Sequence, residues 1–288
     1  MSGSRPYVTS MPERLLIIDD DPGILAIASE ALSAYTVETA GTGAEALEKY
    51  QAQPFDAVVC DLGLPDMSGV DVVRRIRESN PAARVLIITG GDHQSGLIAS
   101  LREKIIDFLP KPFELADLRA AVANLLACEA NIEVISAMPN WIELRVPASF
   151  QVAARLGAYF EQLHAEIDET TRDNISTAFR ELLNNAIEHG CCGDSRRQVT
   201  VCYLRLSRVI LYRINDPGRG FDPRNLPHAA VANPPEEPLR HIDFRLENGM
   251  RPGGFGILCA QGIADELVYS EQGNEVIFAR YIDGDPKD

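Results

Sequence analysis

Phe179–Gly190, F-R-E-L-L-N-N-A-I-E-H-G, decides how the second half of this chain is read. Phe179, Leu182, Leu183, Ala186 and Ile187 recur at helical spacing, which predicts an amphipathic helix packed on a core. Glu181 and Asn185 are four apart and share one face of it. An Asn carbonyl is a hard oxygen ligand suited to Mg²⁺, which is commonly shared with nucleotide phosphates. A carboxylate one turn away can accept a proton from an attacking hydroxyl or water. The plain alternative is a core helix with two polar residues, and two glycine motifs further on bear on the choice.

Working outward, Trp141–Val146 alternates as a strand, and Pro147, Ala148 and Ser149 start a helix that runs to about Ile167. The helix holding Asn185 spans about 170–189. Val199–Leu206 and Val209–Asn215 alternate as a hairpin across Ser207 and Arg208. Residues 222–252 are rich in Pro, Asn and charge with little apolar periodicity, and are expected to form a long functional loop, a lid. A helix opens at about Gly254–Ala264, and two closing strands, Glu266–Ser270 and Glu275–Tyr281, turn at Gln272–Gly273. Helices set against an antiparallel or mixed sheet give an α+β sandwich. Gly253, Gly254 and Gly256 at a helix start let backbone N–H groups approach phosphates. Asp216 follows a strand and can accept a hydrogen bond from an adenine amino group, with Gly218 and Gly220 letting the backbone pass close to the ring. A lone D-x-G-x-G is more often a turn; the Asn185 helix before it and the glycine-opened helix after it shift the reading towards a nucleotide site.

E-L-L-N-N-A-I-E-H-G, N-D-P-G-R-G-F-D-P and G-G-F-G-I-L-C-A-Q-G-I-A-D-E together resemble the GHKL ATP-binding fold of histidine kinases, gyrases and chaperones. Within it, the stretch 140–283 is similar to bacterial anti-sigma-factor serine kinases. The resemblance implies Asn185 on Mg²⁺, Asp216 on adenine and Glu181 as general base, with Arg240, Arg245 and Arg251 as candidates for the γ-phosphate. A histidine nucleophile carries a ready lone pair, whereas a serine hydroxyl or water benefits from a base. Glu181 sits where many histidine kinases carry Asn. No histidine-bearing dimerisation helix is evident; His164 reads as structural or surface, and His189 as a helix-end cation.

The first half has a different period. Short apolar runs at Arg14–Asp19, Thr36–Thr39, Ala57–Cys60, Val85–Thr89 and Ile105–Leu109 alternate with helical patterns near 23–34, 43–52, 69–78, 94–104 and 114–127. That alternation predicts a doubly wound parallel sheet of five strands covered on both faces. Functional residues of such sheets gather at the carboxyl ends of the strands. Asp19 and Asp20 end the first strand, Asp61 the third and Thr89 the fourth, and Lys111 follows the fifth. Three carboxylates together call for a cation, and oxygen-only ligands favour Mg²⁺. Lys111 and the Thr89 hydroxyl can bind an added phosphoryl group. Asp21 reads as a helix N-cap before Pro22.

I-I-D-D-D-P, C-D-L-G-L-P-D-M-S-G, I-I-T-G and D-F-L-P-K-P-F resemble the flavodoxin-like receiver domain of two-component response regulators over residues 12–127. The resemblance implies Asp61 as phospho-acceptor from a histidine kinase. It places Asp20, Asp61 and the Gly63 carbonyl on Mg²⁺, Asp19 on a metal-bound water, and Thr89 and Lys111 on the phosphoryl oxygens. It also implies a cis peptide at Lys111–Pro112 and puts the switch aromatic at Phe108. His93 reads as a solvated loop residue. Residues 128–139 are expected to form a short connector, and 140–283 the ATP-binding kinase domain.

At 288 residues, with 45% hydrophobic and 24% charged residues, the chain suggests two ordinary globular domains. The 27 Lys+Arg against 42 Asp+Glu give a net charge of −15, which disfavours direct nucleic-acid binding. No apolar run is long enough for a membrane span, and M-S-G-S-R-P-Y does not read as a signal peptide. The six cysteines show no zinc or disulfide spacing and read as free thiols of a cytoplasmic protein. These observations lead to the expectation of a response regulator with an ATP- and Mg²⁺-dependent serine/threonine kinase output. Its expected partners are a histidine kinase and an anti-sigma-factor antagonist or sigma factor, and the chain is expected to form a homodimer. The rivals are an ATP-binding anti-sigma module without turnover, an orphan histidine kinase and a gyrase-like clamp ATPase.

Overall fold

Strands that are apolar along their whole length need cover on both faces. In the computed structural model, which describes residues 12–90, 94–127, 131–220, 230, 233–234, 236–237, 239–247 and 254–282, the first sheet receives that cover. Its strands are β1 (Arg14–Ile18), β2 (Thr36–Ala40), β3 (Ala57–Asp61), β4 (Val85–Thr89) and β5 (Phe108–Pro110). They run in the order β2-β1-β3-β4-β5, every neighbouring pair parallel. Leu15, Ile17, Val59 and Ile88 are buried with α1 (Pro22–Ala31) and α5 (Leu115–Ala127), whose Ala28, Leu118, Val122 and Leu125 complete one core. α2 (Gly43–Ala52) and α3 (Gly69–Ser79) bury Ala46, Val72, Val73 and Ile76. α1, α2 and α3 each start at a side-chain cap: Asp21 accepts from the Gly23 N–H, Thr42 from that of Glu45, and Ser68 from that of Val70.

β5 is shorter than the run Ile105–Leu109 suggested. Its ladder to β4 begins at Ile87↔Phe108. Ile105 and Ile106 owe their apolar character to burial rather than to strand pairing. The chain divides into two units, and 92–106 belongs with the second. There α4 (Gln94–Arg102) packs with the elements after residue 130: the Tyr159 hydroxyl donates to Leu97 O at 3.2 Å, and Arg102 Nε–H to Ala137 O at 3.0 Å.

The second unit is built on an antiparallel sheet, ordered β10-β11-β9-β8-β7-β6. Its strands are β6 (Glu133–Met138), β7 (Trp141–Pro147), β8 (Gln198–Leu206), β9 (Val209–Asn215), β10 (Glu266–Tyr269) and β11 (Glu275–Tyr281). Alternate residues Ile142, Leu144, Val201, Tyr203, Ile210, Tyr212 and Phe278 are buried, as a sheet covered on one face requires. The cover comes from α6 (Phe150–Leu163) and α7 (Glu169–Asn185). Phe160 sits at the centre of an aromatic cluster, 5.1 Å from Phe179, 5.4 Å from Tyr203 and 5.2 Å from Tyr212 between ring centroids. Offset and edge-on contacts of this kind are favoured by the ring quadrupoles. His164 is fully buried beside them, and burial pushes its pKa down to about 3.

Three further expectations need correcting. The stretch 128–139 is not a connector throughout, because Glu133–Met138 is β6, paired with β7 at the edge of the sheet. Its mixed polarity is that of an edge strand with one face buried, interrupted by a register shift between Val134 and Ser136. The stretch 222–252 is not loop throughout, because α8 (Arg240–Glu247) lies in it. The His241 N–H donates to Asn233 Oδ1, and the imidazole is fully buried. The helix expected to reach 189 ends as an α-helix at Asn185; Ala186–Gly190 continues as a π turn, with the Cys191 N–H donating to Ala186 O. Among the described residues no helix is long and apolar enough to cross a membrane, and the five described cysteines are free.

Candidate functional sites

The parallel register sets the first site. Ile18 pairs with Cys60, Asp61 with Ile88 and Thr89 with Pro110, so the carboxyl ends of β1, β3, β4 and β5 are level. Asp19, Asp20 and Asp61 each present a carboxylate oxygen, and these lie within 4.8 Å of one another. Asp19 and Asp61 are buried, while Asp20 is exposed. Lys111 Nζ donates to Asp19 Oδ2 at 2.7 Å and to Asp61 Oδ2 at 2.6 Å. Burial opposes the charge on Lys111, but these two hydrogen bonds prevail and its pKa is raised. One ammonium against three carboxylates leaves the cluster anionic, and its oxygen-only donors fit Mg²⁺. The Thr89 hydroxyl is buried with no hydrogen-bond partner among the described residues. A buried, unpaired hydroxyl is costly, and an anion on Asp61 would satisfy it. The Gly63 N–H donates to Asp61 Oδ1 at 3.3 Å. Asp66, given no role in the sequence analysis, pins the loop after Asp61: its carboxylate accepts from the N–H groups of Gly43 and Ala44 at the start of α2, which hold its pKa down. Lys111–Pro112 is cis, and Phe108 is half-buried. His93 lies outside the described residues.

The second site lies where α7, the loop after β9 and α9 (Gly256–Ile263) meet. Asn185 closes α7, and its Nδ2 is buried without a hydrogen-bond partner among the described residues. Glu181, one turn earlier, touches the start of α9: a Cβ on Gly256 would lie 2.3 Å from Glu181 Oε2. A side chain at position 256 would have to displace the end of Glu181. Asp216 is 8% exposed, and its Oδ1 accepts from the Gly218 N–H at 2.8 Å. Burial raises its pKa, and that hydrogen bond partly offsets the shift. Gly190, which ends the π turn, is a further member of the site that the sequence reading passed over as a helix end. A Cβ there would meet Asp216 Cγ at 2.1 Å. Gly220 lies against Gln272 O with φ +74°, and Gly254 has φ +99°. Gly253 and Arg251, and the side chain of Arg245, are outside what the structure describes. Arg240 is exposed, 3.8 Å from Glu237 in a surface pair. The site therefore offers a buried amide, two carboxylates and a close-packed helix start, a donor set that fits a nucleotide with a bound dication.

Comparison with known proteins also gives the chain two domains, but the first of them takes in 92–106. The family described as the response regulator receiver domain matches residues 15–123, and the histidine kinase-like ATPase domain matches residues 146–280. Response regulator MprA of Mycolicibacterium vanbaalenii is 37% identical over 118 residues, which cover 40% of this chain and 51% of that protein. The transcriptional regulatory protein TrcR of Mycobacterium tuberculosis is 33% identical over 124 residues, covering 42% and 48%. The chain thus spans about half the length of the curated relatives it matches. A solved receiver domain protein from Clostridium thermocellum is 29% identical, covering 40% of this chain and 94% of that one with a TM-score of 0.38. With its carboxylate cluster at the ends of a parallel sheet and its Asn185–Asp216 site beside an antiparallel one, the chain is a fusion of a response regulator receiver domain with a histidine kinase-like ATPase domain.

Proposed function

We propose that a histidine kinase phosphorylates Asp61 and that this input controls ATP-dependent phosphoryl transfer by the second domain to a serine or threonine of a partner protein. Asp20, Asp61 and the Gly63 carbonyl hold Mg²⁺ in the receiver, with Asp19 acting through a bound water, while Thr89 and Lys111 grip the phosphoryl oxygens. In the second domain Asn185 ligates Mg²⁺, Asp216 accepts from adenine, the backbone at Gly253, Gly254 and Gly256 faces the phosphates, and Glu181 takes the proton from the acceptor hydroxyl. The partner class is an anti-sigma-factor antagonist, with the sigma factor a further partner of the same domain, and the working unit is a homodimer in the cytoplasm.

The observation that carries this reading is Glu181 in contact with the first residue of α9. A carboxylate at the phosphate end of a nucleotide site is where a base for a hydroxyl acceptor belongs, whereas a histidine acceptor has no need of one. Phosphoryl transfer otherwise depends on positioning and charge neutralisation. The test is to incubate the chain with γ-labelled ATP and candidate antagonist proteins. Acid-stable phosphoserine or phosphothreonine on the partner supports the reading, and an acid-labile phosphohistidine refutes it. Tight ATP-dependent partner binding without transfer identifies an ATP-binding anti-sigma module instead.

A further inference from the structure

Asp216 is held by more than its own motif. The β9–β11 ladder ends at Asn215↔Glu275, and one step on the Asp216 N–H donates to Asn274 O at 2.9 Å. The Asn274 side chain returns the contact: its Nδ2–H donates to Asp216 O at 3.1 Å. Both peptide groups that flank the Asp216 side chain are thus tied to one residue, 58 positions away in sequence. Asn274 is itself braced. Ser270 Oγ donates to Asn274 Oδ1 at 3.3 Å and accepts from the N–H groups of Gly273 at 3.1 Å and Glu275 at 3.3 Å. Gln272 Nε2 donates to Arg219 O at 3.4 Å, so the same turn also holds the middle of the D-P-G-R-G loop. On the other side Gly190 packs against the Asp216 carboxylate, and the Gly218 N–H takes Oδ1. That hydrogen bond takes one acceptor site of Oδ1, and among the described residues no donor is on Oδ2.

We propose that Asn274 is a positioning residue for base selection. By fixing the Asp216 backbone it aims Oδ2 so that the site prefers a purine carrying an amino group over one carrying a carbonyl at the same position. A carboxylate accepts from an amino group and repels a carbonyl oxygen, but it discriminates only while its direction is fixed. The proposal rests on the reading of Asp216 as the base acceptor.

The test compares ATP with inosine triphosphate, which has a carbonyl where ATP has the amino group, by calorimetry on the full chain. One hydrogen bond contributes about 0.5–1.5 kcal/mol, so Asn274→Ala is expected to weaken ATP binding about two- to tenfold. Inosine triphosphate is expected to bind within about twofold of its wild-type affinity, since it never gains from the aimed carboxylate. Asn274→Asp keeps the shape and the Ser270 contact but faces a carbonyl with an acceptor, and is expected to give the larger selective loss. Asp61 phosphorylation by acetyl phosphate and the thermal midpoint serve as fold controls. Equal loss of both nucleotides, or no loss of either, in folded Asn274→Ala and Asn274→Asp overturns the proposal. Asp216→Asn separates the two levels. If it abolishes the ATP preference while the Asn274 variants keep it, only the role of Asn274 falls; if it too leaves the preference intact, the reading of Asp216 fails and takes the proposal with it.

Discussion

The two sites are assembled by opposite means. In the receiver, charged side chains converge because parallel strands end level. Asp19, Asp61, Thr89 and Lys111 come from four strand ends, and Lys111 reaches two carboxylates at once. In the ATPase domain few side chains meet, and the geometry is set by backbone close approach. Gly190 lies on Asp216, Gly256 on Glu181 and Gly220 on Gln272. A site of the first kind fails when a charge is removed, and one of the second kind fails when a methyl group is added. The receiver is therefore expected to keep its fold through an isosteric change that removes a charge and ends its chemistry, while the ATPase site tolerates little growth at its glycines.

The largest effect expected is at Asp61. Asp61→Asn keeps the size of the side chain but removes the nucleophile, so labelling by a small phosphodonor with Mg²⁺ is expected to be lost entirely. Undiminished labelling would move the acceptor elsewhere and break the contrast. Next is Glu181→Gln, which leaves the contact with α9 sterically unchanged. ATP affinity is expected to stay near normal while the rate of transfer falls about 10²–10⁴-fold, the usual scale of general-base catalysis. Full activity in this variant would remove Glu181 from the chemistry.

The smallest effect concerns stability. His164 is buried, with its pKa lowered from 6.5 to about 3. An unfolded chain binds a proton there below pH 6.5 that the folded chain refuses until about pH 3, so the fold loses stability as pH falls through that window. Denaturant titrations followed at Trp141, the single tryptophan, are expected to show this acid slope reduced in His164→Asn. An unchanged slope would mean that the imidazole accepts a proton within the fold.

Legibility followed the same division. The receiver could be read because its chemistry lies at the ends of continuous apolar runs, where one polar residue interrupts an obvious strand. Asn185, Asp216 and Gly256 could be picked out as candidates because a recognisable motif surrounds each. Asn274 and Gly190 could not be assigned a role. The first belongs to a turn that any Gln-Gly-Asn would announce, and the second ends a helix where glycine is ordinary. What marks them out is what they touch: each meets Asp216 from a distant part of the sequence. β6 was hidden because an edge strand with one wet face looks like a polar linker. α8 was hidden because its eight residues give the helical period little room to show.

One measurement directly tests the proposed control of transfer by Asp61 phosphorylation. Transfer of label from γ-labelled ATP to an antagonist protein is to be followed with and without acetyl phosphate, in the wild-type chain and in Asp61→Asn. An acid-stable phosphoester is expected on the partner, formed at a rate that acetyl phosphate changes in the wild type and leaves unchanged in Asp61→Asn. A phosphohistidine product, or a rate indifferent to acetyl phosphate in the wild type while Asp61 is shown to be phosphorylated, would contradict it.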